Sequence, residues 1–229
     1  MSFKKSSSNK TVWDILTTPN AKNTRVLEPI PSLVFLSAAI GSRSAKVSGG
    51  NSRVQALVNK FSDPPLDGFF RGLIDLDDGK IQSTDRLKRL ARYSFENYYL
   101  DPLNVFGLLV DKGLAPPIQN LNITAGDVHI LRVAEATVLQ AVVNRISADV
   151  APKLTNPDST RTLVRFCNGI ALQYPKWMIE YRGHDLLPAY QAVYGSPKEI
   201  HPRNLIQEMR HVRMIPEDLS TVMRELQPQ

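Results

Sequence analysis

The sequence predicts an all-α protein: a two-lobed helical bundle held between flexible N- and C-terminal arms. Three observations predict it. Apolar residues recur at the three-and-four spacing of one helix face in segment after segment. Pro and Gly fall between those segments as breaks, and alternating strand patterns are nearly missing. The 229 residues, 42% of them hydrophobic, suffice to bury a core in one domain or two small lobes.

Residues 1–28 form a polar, basic arm with no apolar run behind its first ten residues, so it does not read as a secretory signal. Trp13, Ile15 and Leu16 have little local structure to bury them and read as an anchor for another body, such as a neighbouring copy. Residues 29–120 make the first lobe. Pro31 to Gly41 is a short apolar helix, followed by a turn at Ser48-Gly49-Gly50-Asn51. Asn51 or Ser52 caps a helix through Arg53 to Phe61 that puts Val54, Leu57, Val58 and Phe61 on one face. Pro64-Pro65 opens another, carrying Leu66, Phe69, Phe70, Leu73 and Ile74. Ser83 caps the best marked helix, running to Tyr99. Leu87, Leu90, Ala91, Ser94, Phe95 and Tyr98 line its buried face, and Arg86, Lys88, Arg89 and Arg92 fall on the other side. Asp101-Pro102 is a cap followed by a first-turn proline, and Gly113 closes that helix.

Pro116 to Asn122 is the expected waist. The second lobe, 121–198, begins with a long helix capped by Thr124, with Val128, Leu131, Ala134, Val138, Leu139 and Val142 as its core stripe. Shorter helices follow at Arg161 to Gln173 and Leu186 to Tyr194. The C-terminal extension, 199–229, holds two more at Arg203 to Met214 and Glu217 to Leu226.

Charge is unevenly distributed. Residues 1–60 carry nine Lys/Arg against two acids, residues 61–80 reverse to a net −3, and residues 81–99 return to +2. Beyond residue 99 acids and bases balance, so the net charge of +6 is an N-terminal property. That asymmetry points to an acidic partner such as a phosphate backbone. Membrane insertion is not expected, because no apolar run approaches the ~20 residues that spanning requires.

Catalytic signatures are missing. His129, His184, His201 and His211 are scattered without the spacing of a ligand set, so structural or surface roles are expected and no metal or cofactor is assigned. The lone Cys167 sits on an apolar run, reads as a buried small hydrophobe, and fits a reducing compartment. Asp75-Leu76-Asp77-Asp78-Gly79 begins like a calcium loop but is one residue short, with Arg86 where the distal Glu is needed, and reads as a turn.

Arg53-Val-Gln55-Ala-Leu-Val-Asn-Lys-Phe61-Ser62-Asp63, followed by Leu90-Ala-Arg92-Tyr93-Ser-Phe95-Glu96-Asn-Tyr98, resembles the two best marked segments of coat proteins of flexible filamentous plant viruses, especially potyviruses. Leu33 through Ser42 is similar to the helix and Gly/Ser turn upstream of them, and Val34 through Phe61 also resembles phlebovirus nucleoproteins. The resemblance covers residues 33–99. It implies a nucleoprotein or coat protein, found in virion and host cytoplasm, that binds single-stranded RNA and polymerises into a ring or helix. It also implies that Ser42 or Ser44, Arg53 and Glu96, the last in place of an aspartate, line the RNA site. Beside it, the charge pattern nominates Arg43, Lys46, Arg53, Lys60, Arg86, Lys88, Arg89 and Arg92 as a cationic groove tracking the backbone. Two other readings stand: a dimeric, all-helical cellular regulator that binds nucleic acid, and an enzyme with a carboxylate site.

Overall fold

The computed structural model describes residues 50–64, 66, 69–76, 81–195 and 198–227. The fold is mixed α/β, not all-α. Helices predominate, but two small sheets are present, one parallel and one antiparallel. The chain forms two compact units, 1–91 with 218–229 and 92–217. The segment Pro116 to Asn122 lies inside the second unit, and the N-terminal arm and the helix expected at 31–41 lie outside the described residues.

In the first unit, α1 (Gly50–Lys60) packs on a parallel pair, β1 (Gly72–Ile74) and β2 (Leu87–Arg89), with Gly72 opposite Leu87 and Ile74 opposite Arg89. Val58, Ile74 and Leu87 form the core, with Val54 and Ile81 against it. Gly72 makes this packing possible. A Cβ there would sit 2.6 Å from both Val54 Cγ1 and Leu87 Cδ1, so the strand can lie under the helix only without a side chain. The Asn51 side-chain amide closes the far end, donating to the Asp75 carbonyl at 3.1 Å and accepting from the Asp75 N–H at 3.2 Å.

This pairing replaces two expected helices. The apolar spacing at Leu66 to Ile74 and at Leu87 to Tyr98 fits a helix locally, but the Gly72 and Leu90 N–H groups donate to the carbonyls of Arg86 and Ile74. Those bonds are non-local and leave no trace in periodicity. Of the helix expected from Ser83 to Tyr99, only a single turn remains, α2 (Glu96–Tyr99).

The second unit is built around α3 (Pro102–Asp111), whose first nine residues are all buried. Asp101 caps it as the sequence predicts, its carboxylate accepting from the Leu103 N–H at 3.1 Å, and Gly113 follows with φ +68°. Helix α3 packs against α4 (Ala136–Val150) and α7 (Pro202–Val212), and α4 in turn against β4 (Ala171–Pro175) and α6 (Gly183–Tyr194). A 3-10 turn at Val128–Arg132 and a break before Ala136 replace the single long helix expected from Thr124. The single-turn helix α5 (Trp177–Glu180) follows β4.

The helix expected at Arg161 to Gln173 is instead an antiparallel hairpin, β3 (Arg161–Arg165) paired with β4. Asn168-Gly169 makes its turn. Gly169 takes φ +86°, and the Phe166 N–H donates to the Ile170 carbonyl across it, the arrangement in which Gly supplies the left-handed residue of a short hairpin loop. Cys167 stands on this turn and is exposed, not buried.

A buried ion pair anchors the second unit. Arg92 Nη1 lies 3.2 Å from Asp101 Oδ2, each side chain 1% exposed. Arg92 Nη1 also donates to the Asn97 carbonyl at 2.9 Å, and its guanidinium lies 4.6 Å from the Tyr98 ring centre. Removing one partner of such a pair strands the other charge, at a cost of about 3–5 kcal/mol. Arg92→Met is therefore expected to lower the urea midpoint by that equivalent with the slope unchanged. The double variant Arg92→Met with Asp101→Leu should recover part of the loss.

Candidate functional site

Among the described residues of the first unit, the most chemically distinctive surface lies at the C-terminal end of α1. Val54 and Val58 turn inward, which leaves Leu57 and Lys60 on the outer side, Leu57 at 41% exposure. The chain then bends, and the Phe61 ring stacks on Phe70 with centres 4.2 Å apart. Lys60 Nζ lies 5.8 Å from the Phe61 ring centre, within the range of a cation–π contact. Next to Phe70 in the chain, Phe69 is 79% exposed. An aromatic stack flanked by an ammonium group and a projecting phenyl ring is suited to take the flat face of a base while the cation meets a phosphate.

Arg86 fixes this end of the helix. Its Nη2 donates to the Val58 carbonyl at 2.6 Å and its Nη1 to the Phe61 carbonyl at 3.3 Å. These lie among the carbonyls that a helix C-terminus leaves without intrahelical partners. Positive charge is favoured there as well, at the negative end of the helix dipole.

The residues nominated from sequence separate into groups. Ser42, Arg43, Ser44 and Lys46 lie outside the described residues. Arg53 and Lys60 are on α1, half-buried and exposed respectively, and Arg86, Lys88 and Arg89 are on or beside β2. Arg86 is spent on the α1 carbonyls. Lys88, with only 19% of its side chain exposed, pairs with Glu225 of α8 (Glu217–Glu225) at 3.6 Å. Arg92 is buried in the second unit on Asp101. Glu96 is on α2 of the second unit, whereas Arg53 belongs to the first. The four cations expected on one helix face are thus distributed between a strand and a buried pair.

Sequence periodicity missed the aromatic stack because Phe61 and Phe70 both read as core positions of helices. It also missed a cluster in the second unit. Asp111 at the end of α3 and Glu208 and His211 of α7 each bring a donor atom within 4.8 Å of the others. Burial and the Asp111 charge push the Glu208 carboxyl up to about 7, while His211 pulls it down. The readable signal was the i, i+3 spacing of Glu208 and His211, which places both on one helix face. Asp111 is far away in sequence.

No family model, curated protein or solved structure matches the chain.

The geometry assigns Arg86 a structural task that a charge count does not. Arg86→Ala should destabilise the first unit by about 1–3 kcal/mol, the range for hydrogen bonds from charged groups. Amide exchange at Val58 to Phe61 would accelerate accordingly. Lys at this position, with a single ammonium in place of a fork, should restore less than half of the protection.

Proposed function

We propose that the chain is a nucleoprotein that binds single-stranded RNA without sequence preference and self-associates along it. The observation that carries this reading is the half-buried Phe61–Phe70 stack with exposed Lys60 beside it and Phe69 projecting. In sequence it directly follows residues 1–60, where nine cations face two acids. A sequence-tolerant RNA binder needs both parts: cations that track phosphates and π-faces that accept any base.

On this reading the groove is narrower than the charge pattern suggests. Lys60, with Arg53 and Arg89 of the same unit, stays among the candidates, joined by Phe61, Phe69 and Phe70. Arg92 leaves the set because its guanidinium is buried, and Arg86 supports the groove instead of lining it. The resemblance of residues 33–99 to filamentous-virus coat proteins and phlebovirus nucleoproteins supports the same role. On this reading the terminal segments are the pieces exchanged between successive copies, in a head-to-tail contact that generates rings or filaments.

The test is anisotropy of labelled oligouridine across a salt series, with negative-stain images of the same samples. Binding should fall steeply with salt. Lys60→Ala should reduce the log–log slope by about 0.7, the value for one phosphate contact on a single strand. Phe69→Ala should weaken binding by about 5- to 150-fold, the equivalent of one lost base stack, and leave the slope unchanged. Salt-insensitive binding, or two variants that bind as the parent does, would rule the reading out. A change in assembly alone in Phe69→Ala would reassign that ring to contacts between copies.

A further inference from the structure

We propose that Asp111, Glu208 and His211 form a binding site for a first-row divalent cation of the Zn2+ type, which clamps the end of α3 to α7. All three residues belong to the second unit, and the inference is independent of the RNA-binding surface.

The donors are the first argument. One oxygen from each carboxylate and one imidazole nitrogen lie within 4.8 Å of one another. Donors bound at about 2.0–2.2 Å to a common ion lie up to about twice that apart, so a small side-chain adjustment closes the set. His211 Nδ1 is already 3.5 Å from Glu208 Oε2. Asp111 is oriented from its other side, since the Gly126 N–H donates to its Oδ1 at 2.9 Å. This is the kind of outer contact that fixes a ligating carboxylate.

The second argument is Glu208 itself. Its side chain is only 4% exposed, yet its Oε1 is buried without a hydrogen-bond partner. A carboxylate oxygen left in that state is costly, and here it lies beside a second carboxylate. The backbone makes room for it. A Cβ on Gly107 of α3 would sit 2.9 Å from Glu208 Oε1 and 2.7 Å from Val212 Cγ2, so α7 can bring Glu208 against α3 only at a glycine. A cation would satisfy the orphan oxygen and cancel the repulsion between Asp111 and Glu208 at once. Asp111 is also the last residue of α3, where the helix dipole favours positive charge.

The ligand set selects the ion. An imidazole with two carboxylates suits Zn2+ and its first-row neighbours, whereas Mg2+ and Ca2+ prefer all-oxygen shells. His211 is half exposed, at 48% of its side chain, so the remaining coordination positions open to solvent and would be filled by water.

The experiment titrates Zn2+ alone into the chelator-treated full chain, followed by calorimetry and by thermal unfolding. One ion per chain is expected, with a rise in Tm because the ion binds only the folded state, and Mg2+ should leave Tm unchanged. His211→Ala, at an exposed position that folding does not require, should lower Zn2+ affinity at least about tenfold. Glu208→Gln should do the same. His184→Ala removes another exposed histidine beside a carboxylate, Asp185, and should bind Zn2+ as the parent does. No Zn2+-dependent rise in Tm, full affinity in His211→Ala, or a loss confined to His184→Ala would overturn the proposal.

Discussion

The second unit depends on the pair formed by Arg92 and Asp101. Asp101 performs three tasks with two oxygens: it caps α3 through the Leu103 N–H, accepts the Tyr174 hydroxyl of β4 at 2.9 Å, and holds Arg92. One carboxylate thereby fixes a helix start, a strand and the segment that enters the unit. The cost of burial shows in its titration. Desolvation lifts the Asp101 carboxyl above its ordinary value even though Arg92 and three hydrogen bonds pull it down, and burial lifts the Tyr174 and Tyr190 hydroxyls as well. Such a pair adds little net stability over an apolar replacement. It ties together the start of α3, β4 and the segment that carries Arg92.

Asn97 extends that constraint. Its Oδ1 accepts from the backbone N–H and hydroxyl of Ser94, and its Nδ2 donates to the carbonyls of Met178 and Tyr181. The single turn of α2 is therefore held by side-chain bonds to a distant segment and not by its own propensity, which is too small for so short a helix. Gly183 is required there because a Cβ would collide with Glu96 and Ser94.

What could be read from the sequence was local. Asp101-Pro102 announced α3 because cap, proline and following glycine all lie within one element. On α1 the apolar spacing placed Val54 and Val58 inward, as found, but put Leu57 on the same face although it is 41% exposed; the helix expected at Arg203 to Met214 is α7, which buries Leu205, Ile206, Met209 and Val212. What failed was non-local. Leu87 and Leu90 satisfy a helix pattern, yet their environment is set by β1, and the alternation of inward Val164 in β3 and Phe166 just after it with exposed neighbours was masked by apolar residues nearby. The Asn168-Gly169 turn signal was present in the sequence, but the helical reading of Arg161 to Gln173 passed over it. For the candidate sites the missing quantity was burial. Formal charge cannot distinguish Lys60, open to solvent, from Arg92, sealed on a carboxylate, and no spacing rule joins Asp111 to α7.

The division of labour among the cations bears on how an RNA-binding surface could be rigid as well as charged. A flexible basic segment loses side-chain and backbone freedom when it grips a strand, and that loss subtracts from affinity. Here Arg86 holds the last carbonyls of α1 and Phe70 holds the Phe61 ring, so the bend carrying Lys60 is ordered before any ligand arrives. Arg86, engaged on the Val58 and Phe61 carbonyls, thus fixes the position of Lys60. A count of basic residues gives both the same weight, whereas on the proposed reading one is a support and the other a contact.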